Sequence, residues 1–80
     1  MSMENINIRF GRRIKELRLM QNVSQEELGF RCQFSKNYVS DVERGRRNVS
    51  LKVVEKFASG LKVPVYYLFV WHEEEDAVHL

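Results

Sequence analysis

The amino-acid sequence predicts an all-α fold, a compact bundle of five short helices in a single domain. Apolar residues recur at spacings of three and four along most of the chain, as they do on one face of a helix. No stretch alternates apolar and polar residues in the way that a half-buried strand does. Serine, glycine and proline interrupt the apolar stripes at short intervals, where helices usually begin or end. A length of 80 residues fits one small domain.

The first helix is predicted from a stripe of four apolar residues: Ile6, Phe10, Ile14 and Leu17. It should end near Gln21–Asn22, because asparagine can adopt the left-handed conformation that closes helices.

The second helix is predicted to begin at Ser24, which acts as its cap, with Glu27 three residues later completing a capping box. Leu28 and Cys32 form its core side, where a buried cysteine packs as a small apolar residue. Gly29 disfavours a helix, and the absent side chain would let another helix approach closely.

The third helix follows a turn at Gln33–Phe34 and is capped by Ser35. Val39 and Val42 are expected to face the core, and Gly45 ends the helix.

The fourth helix is capped by Ser50, and its predicted buried side consists of Leu51, Val54, Phe57, Ala58 and Leu61. Pro64 fits the first turn of a short fifth helix that contains Leu68 and Phe69.

Two short helices joined by a turn of about three residues form the helix-turn-helix geometry. The segments SQEELG and SKNYVSDVERGRRNVSL, with GLKVP and YLF after them, resemble the phage-repressor (Cro/cI-type, XRE) helix-turn-helix family from about Arg9 to Phe69. Within that family, RGRRNVSL and the small size are most similar to the controller proteins of restriction–modification systems. The resemblance implies a lambda-repressor-like DNA-binding domain. The sequence differs from the family pattern at two positions. Gln33 stands in the turn where the family often has glycine, and Phe30 stands on the second helix where the family usually has a polar residue.

The outer face of the third helix is predicted to read DNA bases. Its polar residues, with Tyr38 at the boundary, are Ser35, Lys36, Asn37, Ser40, Asp41 and Arg44. Asparagine can pair with adenine, lysine with guanine, and aspartate can accept from cytosine. The alternative is an ordinary solvated helix, which would more often carry glutamate and lysine.

A second group of residues is predicted to hold the DNA backbone. This cluster, at and after the end of the reading helix, consists of Arg44, Arg46, Arg47 and Asn48. Arginine forks suit phosphate oxygens, although such a cluster is also common as plain surface charge. Arg47 lies beyond Gly45, where the chain leaves the groove, so it should meet only the sugar-phosphate backbone or its immediate surroundings. The resemblance adds a phosphate contact for Gln25.

The resemblance also implies a structural pair. The glutamate of the ERG segment, Glu43, would pair with Arg18 of the first helix.

Charge is distributed unevenly along the chain. Residues 1–47 hold ten lysines and arginines against six acids, and residues 48–80 hold three against five. The basic excess lies in the half with the helix-turn-helix, which favours double-stranded DNA as the partner.

The predicted domain comprises residues 1–71, and an acidic and flexible tail, residues 72–80, is predicted to follow it. Apolar residues before the tail exceed what one short helix can bury, so part of them should form an interface. In controller-like relatives the last helices form the dimer, which makes Tyr66, Val70 and Trp71 the interface candidates.

His72 and His79 lack the spacing of a metal site.

The sequence therefore predicts a homodimeric, sequence-specific transcription regulator that binds a pseudo-palindromic operator. If the controller resemblance holds, it binds upstream of its own gene and tunes a neighbouring endonuclease gene; activation would need RNA polymerase as a further partner. The alternative is an antitoxin-type or phage-type repressor that mainly holds a protein partner.

Other classes are not favoured. The sequence has no nucleophile–base pair, metal cluster or phosphate loop, so neither an enzyme nor a cofactor or small-molecule ligand is expected. A single cysteine, no signal peptide and no apolar run of membrane length predict a cytoplasmic protein.

Overall fold

The computed structural model describes residues 5–71, and this part of the chain contains helices and turns but no strand. The elements are α1 (Ile6–Met20), α2 (Gln25–Cys32), α3 (Lys36–Glu43), α4 (Leu51–Leu61) and a 3₁₀ helix (Val65–Phe69). The predicted all-α class is confirmed. The acidic tail, with both of its histidines, lies outside the described residues.

The prediction of a fifth α-helix is wrong, because the last element is a five-residue 3₁₀ helix. Pro64 precedes it, and the carbonyl of Pro64 accepts from the N–H of Tyr67, three residues on. So short a segment makes the tighter three-residue bond and does not extend into a regular α-helix.

Serine side chains set the start of three helices, as predicted. The hydroxyl oxygens of Ser24, Ser35 and Ser50 each accept from a backbone N–H three residues ahead, at 3.0, 3.0 and 3.2 Å. Each bond satisfies one of the amide groups that a helix start leaves without a partner.

Left-handed residues set the ends of the helices. Asn22 follows α1 with φ 58°, Gln33 follows α2 with φ 65°, and Gly45 follows α3 with φ 76°. Gln33 therefore takes the conformation for which glycine is the usual residue, and the turn between α2 and α3 keeps a left-handed residue at this point.

The core lies between all four α-helices and the 3₁₀ helix. Its fully buried side chains are Ile14, Leu28, Val39, Val42, Phe57, Leu61 and Leu68. Two predicted core residues are exposed instead, Ile6 at 50% and Leu51 at 86%. Each is the first residue of its helix, and because helical side chains lean toward the N-terminus, these two extend past the end of the packed face.

Two glycines permit close approach of the backbone. A Cβ atom on Gly29 would lie 2.5 Å from the carbonyl oxygen of Phe34, so the group that approaches Gly29 is the following turn. The sequence had suggested another helix at this place. Gly11, which the sequence analysis did not single out, lies against the carbonyls of Val42 and Glu43. It brings α1 and α3 together at the point where α3 ends.

Arg13 fastens the 3₁₀ helix to α1. Its Nε donates to the carbonyl of Tyr67 at 3.1 Å, and its guanidinium lies 4.5 Å from the centre of the Tyr67 ring. The side chain is buried. One of the basic residues in the N-terminal half is thus a packing residue.

Candidate nucleic-acid interface

One face of α3 presents polar side chains, because the other face is occupied by the core. Val39 and Val42 are fully buried, which fixes the rotation of the helix. Lys36, Asn37 and Arg44 are exposed, while Tyr38, Ser40 and Asp41 are half-buried. The structure therefore brings the predicted reading residues together along one short helix.

A buried ion pair attaches this helix to α1. Arg18 donates from Nε to Oε2 of Glu43 at 2.6 Å and from Nη2 to Oε1 at 3.1 Å. Its remaining Nη1 donates to the carbonyl of Val23 at 2.9 Å. The two charged side chains are only 9% and 3% exposed. A two-bond contact of this geometry fixes direction as well as distance.

Gln25 joins α2 to the same pair. Its side-chain amide donates to Oε1 of Glu43 at 3.0 Å. Glu43 therefore links three helices, and the position of Gln25 at the first turn of α2 is tied to the end of α3. Sequence reasoning had given Gln25 only a phosphate contact and missed this bond, because a single glutamine carries no pattern that identifies its partner.

Ser35 also has a structural function, since its hydroxyl oxygen accepts from the N–H of Tyr38. A hydroxyl that accepts as a cap still has its own hydrogen to donate. Ser35 therefore begins α3 and lies at the end of it that carries Lys36 and Asn37.

The loop after α3 folds back against two other parts of the domain. Asn48 accepts from the side-chain amide of Asn7 in α1 at 3.0 Å. The backbone N–H of Arg46 donates to the carbonyl of Asp41 at 2.9 Å, while its side chain is exposed. Asn7 was missed because its partner is 41 residues away in the chain.

Arg47 lies over α3 and does not extend away from it. Its guanidinium is 5.3 Å from the centre of the Tyr38 ring, and Nη2 is 3.3 Å from Oδ2 of Asp41. The sequence had assigned Arg47 to the DNA backbone or its immediate surroundings, on the reasoning that the chain leaves the groove after Gly45. The side chain reaches back across that turn.

Burial changes the interpretation of the basic half of the chain. Arg13 and Arg18 are buried, and their guanidinium groups are used within the protein. The exposed cations on α3 and its loop are Lys36, Arg44, Arg46 and Arg47. They lie at or beside the polar face of α3, so the local positive charge is a better indication of a polyanionic partner than the total charge of residues 1–47.

An apolar surface surrounds the 3₁₀ helix. Tyr66 is 71% exposed and Val70 is 47% exposed. Trp71 is half-buried, with its ring 5.9 Å from that of Phe69 and 5.5 Å from the guanidinium of Arg9. The interface candidates thus lie on one continuous segment, anchored by Leu68 in the core.

Cys32 is a packing residue. Its side chain is buried, and desolvation by burial raises the pKa of the thiol from 9.0 to about 11, against smaller lowering effects of Arg31, a Gly60 backbone bond and Lys56. A thiol in this state is a poor nucleophile near neutral pH.

Within residues 5–71, no group of three His, Cys, Asp or Glu side chains is arranged to hold a metal ion. No helix in the same part of the chain is both long and apolar enough to cross a membrane.

Comparison with known proteins gives consistent relatives. A family model described as "Helix-turn-helix" matches residues 14–68. The control protein C.BamHI of Bacillus amyloliquefaciens is 47% identical over 60 residues, which span 74% of this chain and 74% of that protein. The control protein C.MunI of Mycoplasma sp is 39% identical over 91% of this chain and 100% of that protein.

Among solved structures, the restriction–modification controller protein C.AhdI from Aeromonas hydrophila has a TM-score of 0.78 and 42% identity, covering 80% of this chain and 97% of that chain.

Proposed function

The chain belongs to the helix-turn-helix family and is a transcription regulator closely related to restriction–modification controller proteins; we propose that it is itself such a controller, a homodimer that binds an operator upstream of its own gene. The observation that supports this most is the polar face of α3. It combines base-reading side chains with exposed cations on a helix fixed from behind by the Arg18–Glu43 pair.

The dimensions of α3 suit the major groove of DNA. The helix has eight residues, and its diameter with side chains, about 10–12 Å, fits the width of that groove, about 12 Å. Lys36 and Asn37, at its N-terminal end, would approach base edges. Arg44 and Arg46 would hold phosphates on either side, as would the first turn of α2 at Gln25.

Homodimerisation would use the apolar segment around the 3₁₀ helix. Tyr66, Val70 and Trp71 would pack against the same residues of a second copy across a two-fold axis. Two α3 helices related in this way would enter successive major grooves about 34 Å apart, which requires a pseudo-palindromic operator. Repression then needs only occlusion of the promoter, whereas activation also needs a contact with RNA polymerase. This function involves no catalytic step, and we expect the protein in the cytoplasm of a bacterial cell, where the DNA is.

The test is a footprint on the DNA upstream of the protein's own gene. We expect two protected segments, related by two-fold symmetry and about one helical turn apart. The logarithm of the binding constant should fall linearly with the logarithm of salt concentration, by about 0.9 per phosphate contact. No binding to this DNA, or affinity that does not change between about 50 and 200 mM salt, would contradict the proposal.

The dimer is tested in the same experiment with Val70→Glu, which places a charge in the proposed interface. We expect a shift toward monomer in sedimentation and weaker operator binding, because the second α3 is no longer tethered to the first. Met20→Glu is the matched control. Met20 is also an exposed apolar residue, but it lies about two helical turns beyond Arg13, the residue that holds the 3₁₀ helix. Equal dimerisation of both variants and the wild type would place the interface elsewhere.

A further inference from the structure

We propose that Asp41 is a positioning residue for Arg47, and that the two act together so that Arg47 selects a base pair in addition to holding the DNA. This inference rests on the proposed function, because it concerns how α3 distinguishes one DNA sequence from another. It assigns Asp41 a different function from the direct pairing with cytosine that its residue type suggests.

The first observation is the direction of the Arg47 side chain. Arg47 follows α3, yet its Nη2 lies 3.3 Å from Oδ2 of Asp41 in the last turn of that helix. The carboxylate thus draws the guanidinium back over the turn at Gly45, onto the face that carries Asn37 and Arg44. An arginine has five N–H donors and the bond to Asp41 uses one of them, so a fork remains for a base edge.

The second observation is the support beneath the guanidinium. It lies 5.3 Å from the centre of the Tyr38 ring. Tyr38 packs on Phe34 with ring centres 4.8 Å apart, and Phe34 packs on the buried Phe57 at 5.1 Å. A stack of three rings therefore extends from the core of the domain to Arg47, and it limits how far the guanidinium can move.

Together these contacts preorganise a flexible side chain. Arginine loses considerable rotamer freedom when it is fixed on a ligand, and a side chain already held in place loses less on binding. The arginine fork fits the O6 and N7 acceptors of guanine, so a G·C pair is the expected target. The ion pair itself is too exposed to contribute much to folding stability, with side chains 51% and 32% accessible.

The negative charge of Asp41 also affects DNA binding directly, and this effect is opposite in sign to the effect of positioning Arg47. A carboxylate on the DNA-facing surface opposes binding to phosphates of any sequence. Removing its charge should therefore raise the affinity for random DNA while lowering the preference for the operator. Removing a residue that only stabilised the fold would not raise the affinity for random DNA while lowering the preference for the operator.

The experiment compares four proteins: the wild type, Asp41→Asn, Arg47→Ala and the double variant. Each is titrated against the operator, against operators with one base pair changed, and against random DNA, after circular dichroism has shown equal helix content. Arg47→Ala should lower the preference for one base pair in each half-site by about tenfold. Asp41→Asn should lower the preference at that same pair by about two- to fivefold and raise the affinity for random DNA.

The double variant decides between the two functions of Asp41. If Asp41 acts through Arg47, Asp41→Asn should not change base preference further when Arg47 is absent. Glu55→Gln is the matched control, because Glu55 is an exposed acid that also pairs with a cation, Lys52, but on α4. It should leave the preference unchanged.

Two results would overturn the inference and leave the proposed function intact. In the first, Arg47→Ala weakens binding to all sequences equally, which would make it a backbone contact alone. In the second, Asp41→Asn changes base preference equally with and without Arg47, which would make Asp41 a direct reader. A wild type that prefers no sequence would overturn the proposed function itself, and this is measured before any variant is compared.

Discussion

The ion pair of Arg18 and Glu43 fixes the position of α3 in the domain. Glu43 is at the last position of α3, and its carboxylate accepts from Arg18 of α1 and from Gln25 of α2. All three bonds lie behind the polar face of α3. The residue that ends α3 is therefore also the one that fixes the distance of this helix from two other helices.

Replacing Arg18 by alanine should destabilise the fold by about 3–5 kcal/mol, because it leaves the Glu43 carboxylate buried without its cation. The free energy of unfolding in urea measures this effect. Lys52→Ala is the control, because the side chains of the Lys52–Glu55 pair are 89% and 69% exposed and the pair should contribute little. Unchanged stability of the Arg18 variant would show that the pair contributes nothing to folding.

Individual side chains of the site differ in how far the sequence predicts them. Lys36 and Asn37 follow from helical periodicity, because burial of Val39 and Val42 leaves their positions exposed. The Arg18–Glu43 contact followed only from resemblance to a family, since two residues 25 apart give no local signal. The return of Arg47 over Tyr38 was not predicted, because the path of a long side chain after a turn depends on contacts that form only in the fold.

At the scale of elements, Gly11 determines how closely α1 and α3 pack. The space that a side chain would fill is occupied by the backbone carbonyls of Val42 and Glu43, in the last turn of α3. A larger residue would have to push that turn outward. The orientation of α3 relative to the domain thus depends on one small residue in the first helix.

Gly11→Ala should lower stability by about 1–3 kcal/mol, although alanine favours a helix by about 1 kcal/mol. The unfavourable effect should dominate because the added Cβ meets backbone atoms, which cannot rotate away. Thermal unfolding measures the change, and operator affinity should fall with it as α3 shifts. Lys15→Ala, at an exposed position of α1, should change neither; a Gly11 variant as stable as this control would contradict the proposed packing.

The limits of prediction at this scale have a common physical origin. The starts of α2, α3 and α4 and the ends of α1 and α3 followed from local chemistry, namely serine caps and the left-handed residues Asn22 and Gly45. The exposure of Leu51 and the burial of Arg13 did not, because both depend on how one element packs on another. Periodicity indicates which face of a helix is apolar but not how far along the helix its neighbours extend.

At the scale of the whole molecule, the described domain separates two surfaces. One group of exposed cations lies on α3 and the loop after it, and one group of exposed apolar residues lies at and beside the 3₁₀ helix. Packing of Arg13 on Tyr67 fixes the second surface to α1, and the Arg18–Glu43 pair fixes the first surface to the same helix. α1 therefore sets the geometric relation between the proposed DNA-facing surface and the proposed dimer surface.

The most direct test of the central claim compares Lys36→Ala and Asn37→Ala on the operator and on random DNA, with folding confirmed by circular dichroism. If α3 reads bases, each substitution should cost about 1–3 kcal/mol on the operator and relax the preference at one or two base pairs. Binding to random DNA should change much less for Asn37→Ala, because an uncharged side chain contributes little to phosphate attraction. Equal losses on operator and random DNA for both variants would contradict the claim and show that α3 is not the reading helix.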